Sequence, residues 1–331
     1  MAVDQSPRIA PGPVPDRPRP RPSSYFDSVY RRLTEQPLSL YAAAFLRIGF
    51  GLTFLLILVR EFPNRHMIWG PESPWAPELA RSMFADIGWF SALTLSDDPA
   101  WFETCYAVAV LVSVLFTLGW RTRVTSILFA ITVGSFYARS VLMSDGGDNL
   151  MSIMVIYLMF TACGRKWSLD ARRATPATGF RGFTATVVHN FAMLVIMAQM
   201  CVLYGSAGLF KVQGDKWGDG TALNYVLQQE LFRPWPALSD LVLGHHMMLG
   251  IACYVTVLAQ VAFPFSLFSK LKYVVLTVLI GMHIGIAVLI ALPIFSIVMI
   301  LADAVFLPDR FFRWAAGTVR RVLRRGPAPV A

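Results

Sequence analysis

The sequence predicts an all-α, polytopic integral membrane bundle of about eight transmembrane helices. Three observations carry that prediction. Of the 331 residues, 56% are hydrophobic and only 15% are charged. The apolar residues fall in runs of about twenty, the length that crosses the hydrocarbon of a bilayer. The basic residues gather in alternate connections between those runs, as the positive-inside rule requires. One membrane domain uses nearly the whole length, so no second globular domain is expected.

Residues 1–23 are rich in Pro and Arg and lack the apolar content to pack. Disorder is expected there, and 1–37 reads as a cytoplasmic N-terminal segment. No apolar core with a cleavage site follows it directly, so the run at 41–59 reads as an uncleaved signal-anchor. A membrane domain over 38–308 then holds candidate spans at 40–59, 101–119, 124–143, 149–166, 187–209, 247–268, 273–292 and 294–308. The fourth and eighth are short for a bilayer crossing, and Pro293 separates the last two as a tight hairpin or a re-entrant pair. Two connections are substantial. Residues 60–100 carry Trp69, Trp75 and Trp89, with Trp101 directly after them, the composition of an interfacial aromatic belt, and a helical stretch near 76–88. Residues 210–246 carry a glycine-rich turn and a helix near 221–232.

In the tail, 309–331, six arginines fall within about 140° of arc at 100° per residue, with Phe311, Phe312 and Val319 opposite. That is a basic amphipathic helix for an anionic inner leaflet. With a cytoplasmic N-terminus, 21 Lys and Arg lie on the inner side and 7 on the outer, with Arg47 inside a span. The expected topology is multi-pass in the cell membrane with both termini cytoplasmic.

The formal charge of +9 does not imply nucleic acid, because the basic residues track one side of the membrane and no nucleic-acid-binding motif accompanies them. Cys105, Cys163, Cys201 and Cys253 form no C-x-x-C pair and read as small hydrophobes, with a Cys105–Cys253 disulfide as the less favoured alternative. His245 and His246 are adjacent and point about 100° apart on a helix, so no metal site is expected. No phosphate-binding glycine loop, H-E-x-x-H or G-x-S-x-G motif is present.

Polar groups within spans need a reason, since lipid makes them costly. Arg47 and Asp303 lie at similar calculated depths, roughly 8–10 Å from the inner ends of the first and last spans, so a structural ion pair between them is expected. His283, near the middle of its span, is suspected of lining a cavity. Lys211 ends the fifth apolar run, just before a polar turn containing Trp217 and Gly220. It reads either as a snorkelling anchor or as a base whose proton affinity partial burial lowers. Tyr204 lies seven residues earlier and shares its helix face. The turn SDGGDN at 144–149 reads as a tight turn with Asn149 as a helix cap, or functionally as Asp148 and Asn149 set beside Lys211 at the outer face.

These segments carry a family resemblance. LYAAAFLRIGFG, WGPESPW, RSVLMSDGGDNL, KWSLDAR, LYGSAGLFKVQGDKWGDGTAL and MHIGIAVLIALPIF follow one another over about residues 38–308. Their order resembles the HTTM (horizontally transferred transmembrane) domain, the membrane region that vitamin K-dependent gamma-carboxylase shares with bacterial proteins such as sporulation-delaying protein B. The resemblance makes Lys211 the counterpart of the carboxylase lysine that acts as base toward reduced vitamin K and oxygen. Trp217 and Gly220 are further matched positions, and His283 matches another. Where the carboxylase carries an Asn-His pair, this chain has Asn149 and Leu150. The resemblance thus implies Lys211, Asn149 and His283 as catalytic and Asp148, Tyr204, Trp217 and Gly220 as substrate-binding, with a reduced quinone as cofactor. The implied function is an outward-facing site on a quinone-like or lipidic molecule, or maturation of an exported peptide. The alternative is a non-enzymatic membrane scaffold or partner subunit with Lys211 as anchor. Membrane lipids and an exported peptide or partner membrane protein are the expected partners.

Overall fold

The structure, a computed structural model, describes residues 25–173 and 178–324. Its helices are α1 (Tyr25–Thr34), α2 (Leu40–Arg60), α3 (Arg65–Ile68), α4 (Pro77–Ile87), α5 (Pro99–Leu118), α6 (Thr122–Arg139), α7 (Gly146–Leu158) and α8 (Gly179–Val212). The chain continues with α9 (Asp215–Gly218), α10 (Ala222–Gln228), α11 (Pro236–Leu243), α12 (His246–Ser266), α13 (Leu271–Leu289), α14 (Pro293–Asp303) and α15 (Asp309–Arg324). No strand occurs among the described residues.

Five of these helices, α2, α5, α8, α12 and α13, are long and apolar enough to cross a membrane. The expected count of about eight is therefore met only in part. α6 has 18 residues, α7 has 13 and α14 has 11. At 1.5 Å per residue the last two reach only ~16–20 Å, short of a hydrocarbon layer of ~30 Å. The continuous apolar runs behind those expectations are interrupted by backbone that sequence hydropathy does not register. The chain leaves α7 in a turn after Leu158, well before 166, and a 3-10 turn at Ala304–Phe306 follows α14.

α2 is the hub. Its Ala42, Ala43, Leu46, Phe50 and Phe54 are fully buried, and it packs on α5, α7, α14 and α15. Phe54 sits edge-on to Phe129, Phe136 and Tyr137 of α6, and Phe116 of α5 stacks on Phe129 at 4.3 Å. α8 runs along α12, which packs on α13 and through it on α14.

The connections sort to two ends of the bundle. At one end His189 links two segments: its Nε2 lies 2.7 Å from Leu38 O, and its Nδ1 accepts from Ala162 N at 3.0 Å. The Tyr41 amide donates to Asp309 Oδ1. Asn190 Nδ2 donates to Leu33 O and Gln36 O, which fixes the exit from α1. Of the segment expected to be disordered to residue 37, residues 1–24 lie outside the described residues. Residues 25–34 are helical, and Asn190 supplies the tertiary tie that composition does not reveal. Here too the Asp170 carboxylate caps the start of α6, accepting from Arg121 N, Thr122 N and Thr122 Oγ1 at 2.6–2.9 Å. At the other end Arg139 Nη2 donates to Gly70 O, and Ser91 Oγ donates to Ser135 O. Cys105 and Cys253 stand free, as do the other two cysteines.

Candidate functional site

α8 is 34 residues long, and its C-terminal part carries Tyr204, Gly208 and Lys211. Tyr204 is fully buried and precedes Lys211 by seven residues, about two turns or ~10 Å along the axis on one face. Its hydroxyl donates to Asp303 Oδ2 of α14 at 2.9 Å and lies 3.0 Å from His283 Nε2 of α13. A tyrosine hydroxyl has one proton to give. With that proton directed to Asp303, its oxygen accepts from a His283 Nε2–H. Three helices thus converge on one hydrogen-bonded chain, and Phe263 of α12 closes over Tyr204 at 4.9 Å between ring centroids. His283 Nδ1 and Asp303 Oδ1 are buried without a protein partner, as are Ser296 Oγ and Gln260 Oε1.

Lys211 is half-buried at the end of α8. Its Nζ reaches back to Ala207 O at 3.4 Å, a long contact, and stands 5.2 Å from the Trp217 ring centroid, within cation–π range. The polar turn beyond it has its own internal order. Asp219 accepts from Thr221 N at 2.9 Å and Thr221 Oγ1 at 2.5 Å, and Tyr254 OH of α12 donates to Gly218 O. Gly220 has φ +76°, and a Cβ there would touch Gly250 and Tyr254 at 3.4 Å. The positive φ favours a glycine at this position, and α12 lies in contact with it. Gly208 of the same motif is explained by packing: a Cβ would stand 2.9 Å from Val261 N of α12. Trp217 meets Lys211 through its side chain.

Among the described residues no hydrogen bond or ion pair joins Asp148 or Asn149 to Lys211, and both take part in the start of α7 instead. Asn149 is exposed at the start of α7, and the N-cap is Asp145, whose Oδ1 accepts from Gly147 N and Asp148 N. Asp148 Oδ2 answers by accepting from Asp145 N, completing a capping box. A carboxylate four residues ahead of Asn149 reaches the free amides that the sequence reading gave to Asn149. Asp145 and Asp148 line a separate cavity of about 310 Å³ with Arg60, Trp69, Tyr137 and Phe295. The Phe295 ring stands between the two polar regions, 5.6 Å from the His283 ring on one side and against Gly147 on the other.

The expected ion pair of Arg47 with Asp303 is not formed. Arg47, fully buried, donates Nη2 to Trp167 O at 2.5 Å and packs over Gly119, while Asp303 takes Tyr204. α14 ends at Asp303 after only 11 residues, so the carboxylate lies inside the bundle, where a depth counted from a span ending at 308 does not put it. Phe295 and the Tyr204–Asp303 contact escaped sequence reasoning. Pro293 starts α14 where the last apolar run was expected to begin, and it is the 3-10 turn at Ala304–Phe306, unmarked in the sequence, that ends the helix early at Asp303. Among the described residues no three His, Cys, Asp or Glu side chains gather as a metal site.

Comparison with known proteins adds the relationship. A family model described as the HTTM domain matches residues 35–311. The chain is 28% identical over 199 residues to the uncharacterized protein YitO of Bacillus subtilis (strain 168), a match covering 58% of this chain and 62% of that one. It is 25% identical over 134 residues to sporulation-delaying protein SdpB of the same organism, covering 40% of each. Each match thus spans less than two thirds of the relative's length. No solved structure matches. Since the family match runs across every helix that supplies Tyr204, Lys211, His283 and Asp303, this chain belongs to the HTTM domain family.

Proposed function

We propose that this HTTM protein is a membrane enzyme that holds a quinone-like or lipidic small molecule where α8 ends, with Lys211 as its base. The observation that carries this reading is the Tyr204–His283–Asp303 chain, two turns inside Lys211 on the same face of α8. Ionisable side chains inside a membrane bundle are retained against a desolvation penalty, and they mark ligand or proton pathways. The donor set suits the oxygens of a quinone-like ring. Lys211 supplies an amine beside an aromatic face, and Asp303 Oδ1 and His283 Nδ1 have no protein partner. A reduced quinone, when bound, supplies the oxygen-dependent chemistry that the resemblance to gamma-carboxylase implies. The chain's own part is to orient the ring against Trp217, take up a proton at Lys211 Nζ and exclude water with the α8–α12 contact. The 21-to-7 basic asymmetry supports cytoplasmic termini in a cell membrane and an outward site.

Maturation of an exported peptide is a second reading, favoured by the 310 Å³ cavity at the same end of the bundle, which offers carboxylates, Arg60 and aromatic walls. A scaffold with Lys211 as anchor is the non-enzymatic alternative.

The test uses the purified chain in mild detergent with a short-chain naphthohydroquinone, reading oxygen uptake and, by mass spectrometry, any co-purified quinone or lipid. Lys211→Arg and Lys211→Ala are both expected to abolish hydroquinone-dependent uptake with normal expression and elution. Arginine snorkels as well as lysine but cannot release its proton near neutral pH. Full uptake by Lys211→Arg removes the base assignment. A wild type with neither uptake nor bound quinone or lipid leaves the scaffold reading.

A further inference from the structure

The tail helix does not lie flush on the bundle. Phe312, only 3% exposed, pins α15 between Phe45, at 5.4 Å between ring centroids, and Trp167 at 6.3 Å. The next positions on that helical stripe are Ala315, Ala316 and Val319. Two alanines cannot fill the space that larger side chains would, so α15 stands off α13 and α14. The gap is a cavity of about 560 Å³ walled on the bundle side by Ile280, Ile300 and Leu307. Its lining is apolar except for Arg320, and it holds no acidic residue.

We infer that this slot holds one acyl chain of an anionic phospholipid whose phosphate rests on Arg320. An apolar cavity of ~150 Å³ already stays dry and takes up an apolar guest. One several times larger, in contact with bilayer, is filled by a chain and not by water. The charge pattern selects the headgroup. Arg310, Arg313, Arg320 and Arg321 are exposed along the same helix, so a net-negative headgroup gains attraction that a zwitterionic one does not. The site lies at the end of the bundle opposite Lys211 and is independent of the proposed chemistry.

Native mass spectrometry of the full chain in detergent, titrated with phosphatidylglycerol or with phosphatidylcholine of the same chains, tests it. The wild type is expected to retain one phosphatidylglycerol roughly fivefold more tightly than phosphatidylcholine, as one basic contact of about 1 kcal/mol gives. Arg320→Gln should lose most of that preference, and Ala316→Trp, which fills the slot, should weaken both. Equal retention of the two lipids by the wild type overturns the anionic class. Unchanged lipid retention by a folded Ala316→Trp overturns the slot. Should Ala316→Trp not fold, an undiminished phosphatidylglycerol preference in Arg320→Gln overturns the proposal alone. Lipid-free dimers would mean that a second copy covers the face.

Discussion

Tyr204 has one proton and two neighbours that want contact with its oxygen, and that stoichiometry decides what substitution does. Tyr204→Phe leaves Asp303 Oδ2 and His283 Nε2 without their recorded partner inside the bundle. Stranding buried polar groups costs about 1–3 kcal/mol, so a lowered melting temperature in detergent is expected, with a similar fall in Asp303→Leu, which removes the acceptor. The two changes remove one hydrogen bond, so combining them should cost less than the sum. Arg47→Leu and Asp303→Leu have different partners, and their losses should add to within ~0.5 kcal/mol. Recovery in that double variant would restore the ion pair that the structure replaces.

At the scale of an element, the start of α6 shows how a distant segment finishes a helix. The first amides of a helix have no internal acceptor, and Asp170, 48 or 49 residues on, accepts from Thr122 and Arg121. Burial pushes the Asp170 carboxyl up from its ordinary 3.8, but hydrogen bonds from Thr122 and Arg121 and the Arg47 charge outweigh it and hold the group below that value. A carboxyl depressed on folding stabilises above its unfolded pKa and loses that contribution as pH falls through its folded one. The melting temperature of Asp170→Asn should therefore lie below wild type at neutral pH, and the difference should shrink as pH drops below 3.8. A difference that persists unchanged into acid would mean that the charge contributes nothing. α8 shows the complementary case. Its Gly208 admits α12 to backbone contact, so one motif, AGLFK at 207–211, sets a packing glycine one turn before the half-buried Lys211.

For the whole molecule, the testable property is which end faces out. Residues 60–100 and 211–246 gather at one end, and the arginine-rich segments at the other. Cysteines at the exposed Ser82 and Gln228 should react with an impermeant thiol reagent in intact cells, above the background of the parent chain. Cysteines at the exposed Ala171 and Ser269 should not. The reverse pattern would invert the topology and move the Lys211 site to the cytoplasm.

The all-helical membrane class, the two sets of connections, the amphipathic tail and the shared helix face of Tyr204 and Lys211 were legible in the sequence. Each is a property of composition or of short-range spacing, which hydropathy and charge report directly. The partners of Arg47 and Asp303 were not legible, nor was the capping role of Asp145 that displaces Asn149, nor the slot under α15. Those depend on where α14 stops, on which carboxylate reaches a free amide first, and on how far two alanines let a helix stand from its neighbours. A depth counted along one chain segment fixes height in the membrane but not the neighbour at that height, and tertiary packing alone decides the neighbour.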